Sequence, residues 1–165
     1  MHAIEVAVAF SESGALSLRY ALQGDPAGLR LPEPCPPAAA DCLWQHTCCE
    51  VFMAAGDAPA YREFNFSPSG QWAAYGFVDY RQRDNGFQLP LAPQISLRRR
   101  ADACELLAVL APEALPAGPN LRLGLSVVLE AADGSKSYWA LGHAAAQPDF
   151  HLRQSFSLPL KVSPP

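Results

Sequence analysis

Between Leu43 and Arg83 the chain reads LWQHTCCEVFMAAGDAPAYREFNFSPSGQWAAYGFVDYRQR. Three runs rich in aromatic and β-branched residues are cut by two clusters of turn formers, Ala55 to Pro59 and Ser67 to Gly70. Runs of this kind, punctuated by Gly, Pro, Asp and Ser, predict a β-meander. The stretch holds two of the three Trp, three of the five Tyr and four of the eight Phe, so core and function are both expected to be anchored in it.

The flanking sequence carries the same signal. Ile4, Val6, Val8 and Phe10 alternate with smaller or polar residues, as do Leu16, Leu18, Tyr20 and Leu22, with a turn over Ser11 to Gly14 between them. Alternation of period two predicts a hairpin with one buried face. Gln23 to Asp41 carries Pro26, Pro32, Pro34, Pro36 and Pro37 and reads as a surface connection to another sheet. Ile95 to Leu110 reads as one long strand, straight or bent, with a helix as the alternative because Ala, Glu and Leu are good helix formers. Leu121, Leu123, Leu125, Val127 and Leu129 form the clearest alternating strand, followed by the hairpin pair Asp133-Gly134 and a return through Tyr138 and Trp139. Phe156, Leu158 and Leu160 close the series. Sixteen Pro and eleven Gly are many for a helical protein. The expectation is an all-β, two-sheet antiparallel β-sandwich of immunoglobulin-like or jelly-roll type, with one short helix at most.

At 165 residues the chain reads as a single domain, 1–165, large enough for a real core. A net charge of −4 and a pI near 5.5 argue against a nucleic-acid or anionic-membrane partner. Arg98-Arg99-Arg100 reads as a solvated strand end or turn. No run of 18 apolar residues exists, and the opening MHAIEVAVAF lacks a basic leader region and reads as a first strand. Five cysteines without a CxxC pair are then expected to be reduced thiols of a cytoplasmic protein. Adjacent Cys48 and Cys49 point to opposite faces of a strand and lack spaced Cys or His partners, so no metal site is expected; no cofactor is expected either.

Candidate binding residues follow from shared strand faces. Trp44, His46, Cys48, Glu50 and Phe52 share one face if they lie in one strand. Tyr61, Glu63 and Asn65 share another, and Tyr75, Phe77, Asp79 and Arg81 a third. Aromatic plates beside carboxylates, an amide and a guanidinium suit a polyol, whose C–H faces stack on rings while its hydroxyls take hydrogen bonds. The candidate ligand-binding set is Trp44, Glu50, Glu63, Asn65 and Arg81, with His143, Asp149 and His151 at the rim. The competing expectation is that Trp44 is core and that Glu63 and Arg81 form a structural ion pair. No GxSxG, HExxH, GxxxxGK or GxGxxG motif occurs. Glu50 and Glu63 are the one carboxylate pair that a hydrolase would use.

The segments LWQHTCCEVF, YREFNFSPSGQWAAYGFVDYR and YWALGHAAAQPDFH resemble bacterial DOMON-like domains, which are grouped with the family 9 carbohydrate-binding modules. The resemblance spans Leu43 to His151 and implies a β-sandwich that binds haem or sugars, without a catalytic residue. The expected function is a non-catalytic module for a saccharide or similar polyol. The alternatives are a haem-binding DOMON-type domain, a structural or partner-binding protein, and a carboxylate-dependent hydrolase.

Overall fold

The computed structural model describes residues 1–162. Among these residues there are eleven strands and no α-helix; the remaining regular pieces are 3₁₀ turns. The first hairpin is β1 (Ala3–Phe10) and β2 (Leu16–Gln23). The meander is β3 (Cys48–Ala55), β4 (Tyr61–Phe66), β5 (Trp72–Asp79) and the short β6 (Gln82–Asp84). Then come β7 (Gln94–Arg99), β8 (Ala103–Leu110), β9 (Asn120–Glu130), β10 (Lys136–Ala140) and β11 (Leu158–Lys161).

The strands form two antiparallel sheets. The smaller has the order β1-β2-β8-β7, and the larger β10-β9-β3-β4-β5-β6, with β11 also paired to β9. The Pro-rich segment after β2 carries the chain from one sheet to the other, as its composition implies. A 3₁₀ turn at Pro26–Gly28 and isolated bridges of Leu29 to Ala131 and Ala39 to Trp72 tie it to the larger sheet.

The period-two pattern decides which side chains meet. On β2, Leu16, Leu18, Tyr20 and Leu22 are buried; on β8, Cys104, Leu106, Ala108 and Leu110 are. They pack against Cys49, Val51 and Met53 of β3, Phe64 and Phe66 of β4, and the odd-numbered residues Leu121 to Leu129 of β9. Each large side chain removed from water in this layer contributes roughly 1.5–3 kcal/mol. Tyr20 spans the layer, its hydroxyl donating to the Glu50 carbonyl oxygen at 2.8 Å.

Two expectations need correction. The run Ile95 to Leu110 is two strands, because the chain turns at Arg100 to Asp102, with the Arg100 amide bonded to the Ala103 carbonyl and Asp102 accepting from Gly24. The run from Leu43 is not strand from its start. Leu43–Gln45 is a 3₁₀ turn entered through Cys42 at φ 60°, and the ladder begins only at Cys48, opposite Val128. Long-range bonds hold the chain off the sheet there. His46 Nδ1 lies 2.7 Å from Glu130 Oε2, and the Thr47 hydroxyl donates to the Arg30 carbonyl at 3.0 Å.

Because β-strand side chains alternate, the even-numbered residues of β3 and β9 face away from the smaller sheet. There a second apolar cluster forms, of Phe52, Ala54, Tyr61, Phe77 and Phe156. β10 and β11 lie against different halves of β9, pairing with Ser126 to Glu130 and with Asn120 to Leu123. The segment joining them crosses this outer face and covers part of it.

Candidate functional site

The outer face of the larger sheet holds a cleft of about 550 Å³. Its floor comes from adjacent strands in register. Glu50 on β3 pairs with Ser126 on β9 and with Asn65 on β4; Glu63 on β4 pairs with Phe52 on β3 and Tyr75 on β5. One wall is Pro148, Phe150 and His151 of the crossing segment. The others are Arg81 and Arg83 of the β5–β6 hairpin, Tyr138 of β10 and Trp44 of the 3₁₀ turn.

The carboxyls in the floor are nearly sealed from water: Glu50 is 3% exposed and Glu63 6%. Burial, with the nearby Glu63, pushes Glu50 up to about 8, against a hydrogen bond donated by the Ser126 hydroxyl at 2.9 Å. Glu50 is therefore predominantly a neutral acid at pH 7. Burial also raises Glu63, while the Asn65 amide and the cations Arg83 and Arg81 pull the other way. Asn65 Nδ2 donates to Glu63 Oε1 at 2.8 Å. Asn65 Oδ1, fully buried, has no protein partner.

His151 is oriented by a chain of bonds. The Arg81 backbone N–H donates to the Tyr61 hydroxyl at 3.1 Å, and that hydroxyl lies 2.9 Å from His151 Nδ1. When Nδ1 accepts from that hydroxyl, the ring carries its proton on Nε2, which lies 3.7 Å from Glu63 Oε2. Burial, then the Arg81 charge, push His151 down to about 4, so it is neutral at physiological pH. Its edge packs on Phe52 and Phe77 at centroid distances of 5.1 Å each.

Arg81 occupies the left-handed region at φ 53°. For a residue with a side chain this costs about 1 kcal/mol or more. The bond to Tyr61 and an ion pair hold it there: its Nη2 donates to Asp149 Oδ1 at 3.0 Å. Burial alone would raise Asp149, yet hydrogen bonds from the Tyr80 hydroxyl, the His151 amide and Arg81 hold it below its ordinary value.

Five of the eight residues singled out from the sequence line this cleft: Trp44, Glu50, Glu63, Arg81 and His151. Asn65 lies beneath, bonded to Glu63, and Asp149 stands behind Arg81. His143 is exposed and outside the lining, its ring 6.2 Å from that of Phe150. Trp44 reaches the cleft from the 3₁₀ turn, half exposed, and is neither core nor on a strand with Glu50. The alternative pair of Glu63 with Arg81 does not form, since Arg81 is taken by Asp149 and Glu63 by Asn65. Phe52, Tyr75, Phe77, Arg83, Tyr138 and Phe150 are further lining residues. Phe52 shares the Glu50 face and Tyr75 and Phe77 share a strand face, a signal visible in the alternation. Arg83 and Phe150 carry no such local mark.

The floor therefore offers aromatic surface, a neutral carboxylic acid, a second carboxyl and a neutral imidazole N–H, with guanidinium groups at the edge. Such a set takes hydroxyl groups as both donors and acceptors.

No protein-family model and no curated protein matches the sequence. Solved structures do match. A protein from Bacteroides uniformis assigned a carbohydrate-binding role superposes with a TM-score of 0.63 at 16% identity, over 97% of this chain and 79% of the other. A family 9 carbohydrate-binding module from Caldicellulosiruptor kristjanssonii, solved in complex with glucose, superposes with a TM-score of 0.59 at 10% identity, over 97% of this chain and 84% of the other. Over nearly its whole length the chain shares the two-sheet sandwich fold of these two structures.

Proposed function

We propose that the outer face of the larger sheet binds a saccharide or a similar polyol and performs no chemistry on it. One observation carries this reading: buried carboxyls Glu50 and Glu63 lie among the rings of Phe52, Tyr75 and Phe77 at the floor of an open cleft. Sugar C–H faces suit the rings, and hydroxyls suit the acids, Asn65 and the His151 N–H. The glucose complex of the family 9 neighbour supports the same ligand class.

The geometry speaks against two of the alternatives. Glu50 and Glu63 occupy diagonal positions on adjacent strands, both on the floor. A glycosidase needs its two carboxyls on either side of the scissile bond. For a haem-binding, DOMON-type function, Met53 and a histidine would have to reach one iron. Met53 points into the layer between the sheets, and His151 lies over the opposite face.

The test is a thermal-shift screen with neutral and acidic monosaccharides, disaccharides and inositols. A native-state ligand at 100 times its Kd adds about 2.7 kcal/mol of stability. The reading predicts a concentration-dependent rise in Tm for at least one sugar, abolished by Glu63→Gln. A screen in which no sugar raises Tm, or one in which haem alone does, would overturn it.

A further inference from the structure

The cleft holds a cation that has no salt-bridge partner among the described residues. Arg83 lies on β6 opposite Phe77, and its guanidinium sits over the Tyr75 ring, Cζ 3.6 Å from the centroid, with the Phe77 centroid at 5.3 Å. Tyr75 is fixed from beyond, its hydroxyl donating to Asp41 Oδ1 at 2.8 Å. Stacking occupies the faces of a guanidinium and leaves its edge, with its fork of N–H donors, free for a planar acceptor. Among the described residues no carboxylate lies within ion-pairing distance of Arg83.

The acids around it are engaged elsewhere. Asp41 holds Tyr75, Asp84 accepts from the Gly86 amide, and Asp149 pairs with Arg81. Glu63 accepts from Asn65, and Glu50 from Ser126. Depth separates the groups as well. Glu50 and Glu63 lie in the buried floor, while Arg83 is exposed at the mouth, one strand beyond Tyr75. Burial raises both floor acids, so the floor repels an incoming anion less than two free carboxylates would.

We propose that Arg83 reads a carboxylate, and that the ligand of this cleft is an acidic sugar of the hexuronate class. Its ring lies on the aromatic floor with its hydroxyls toward Glu50 and Glu63, and its carboxylate meets the Arg83 fork in a bidentate pair. This rests on the saccharide-binding reading and sharpens it, for a neutral hexose leaves the guanidinium edge to water.

The test uses matched pairs that differ at C6 alone: D-glucuronate with D-glucose, and D-galacturonate with D-galactose, each titrated calorimetrically into the intact protein at low and at high salt. A hydrogen-bonded charge contact at this site corresponds to about tenfold or more in affinity. The expected result is that at least one hexuronate binds about tenfold tighter than its hexose. The preference should shrink with salt, and Arg83→Gln should bring the ratio to about one. Arg83→Gln lies at an exposed position, and its melting curve reports whether the fold is kept. Hexoses that bind as tightly as their uronates, or a preference that survives Arg83→Gln, would overturn the hexuronate assignment and leave saccharide binding standing. Failure of every sugar in both forms would overturn both.

Discussion

Glu50→Gln separates a buried neutral acid from a buried charge. The folded protein holds the Glu50 proton up to about pH 8, whereas an unfolded glutamate releases it near 4.5. Because the folded value is raised, the contribution is complete below 4.5 and is lost as pH climbs toward 8. In that window the folded state carries one proton more than the unfolded chain, and stability falls by about 1.4 kcal/mol per pH unit. Between pH 5 and pH 7.5 this amounts to roughly 3 kcal/mol. Glutamine keeps the shape, retains an oxygen for the Ser126 hydroxyl and has no proton to lose. Urea unfolding of both proteins at half-unit pH intervals gives the difference directly. The expectation is that Glu50→Gln gains on the wild type steadily across this range, reaching on the order of 3 kcal/mol of relative stability near pH 7.5. Two parallel stability curves would refute the reasoning, since they would mean that Glu50 ionises in the fold as readily as in the unfolded chain.

Other consequences follow from the same contacts. Long-range ¹H–¹⁵N spectra should show His151 with its proton on Nε2 and neutral down to about pH 4, and Tyr61→Phe should abolish that tautomer preference. Gly124→Ala should cost about 1–3 kcal/mol in urea unfolding, because the new Cβ would lie 2.9 Å from Cδ1 of the fully buried Phe156. A thiol titration of the native protein should find Cys35 and Cys42 reactive, with Cys48, Cys49 and Cys104 appearing only on unfolding, five in all. Fewer than five thiols in the unfolded chain would contradict this.

Local pattern carried much of the fold. The alternation Leu121 to Leu129 marks the buried face of β9, and Asp133-Gly134 marks its hairpin, because both depend on neighbours in sequence. The shared face of Glu63 and Asn65 was legible for the same reason. What escaped depends on distant residues. Trp44 leaves the sheet because His46 and Thr47 are held by Glu130 and Arg30, contacts with no trace in the local run. Arg83 lies in the polar run Gln82 to Asn85, which carries no local mark of a site. An irregularity between Phe77 and Asp79 and the left-handed turn at Arg81 bring it back opposite Phe77. Asp149 and His151 follow the break at Gln147-Pro148, and their local sequence does not say which face they reach. They reach the site because the segment between β10 and β11 crosses the sheet face, a route set by how both strands flank β9.

The central claim is that one sheet face, and not the other, takes a saccharide. Amide chemical-shift mapping in ¹H–¹⁵N spectra during titration with the best sugar from the screen tests it most directly. Saturable shifts are expected at Glu50, Glu63, Phe77, Arg83 and His151, with Arg19, Glu105 and Leu107 on the smaller sheet unmoved. Saturable shifts confined to the smaller sheet, or no saturable shift with any sugar, would contradict it.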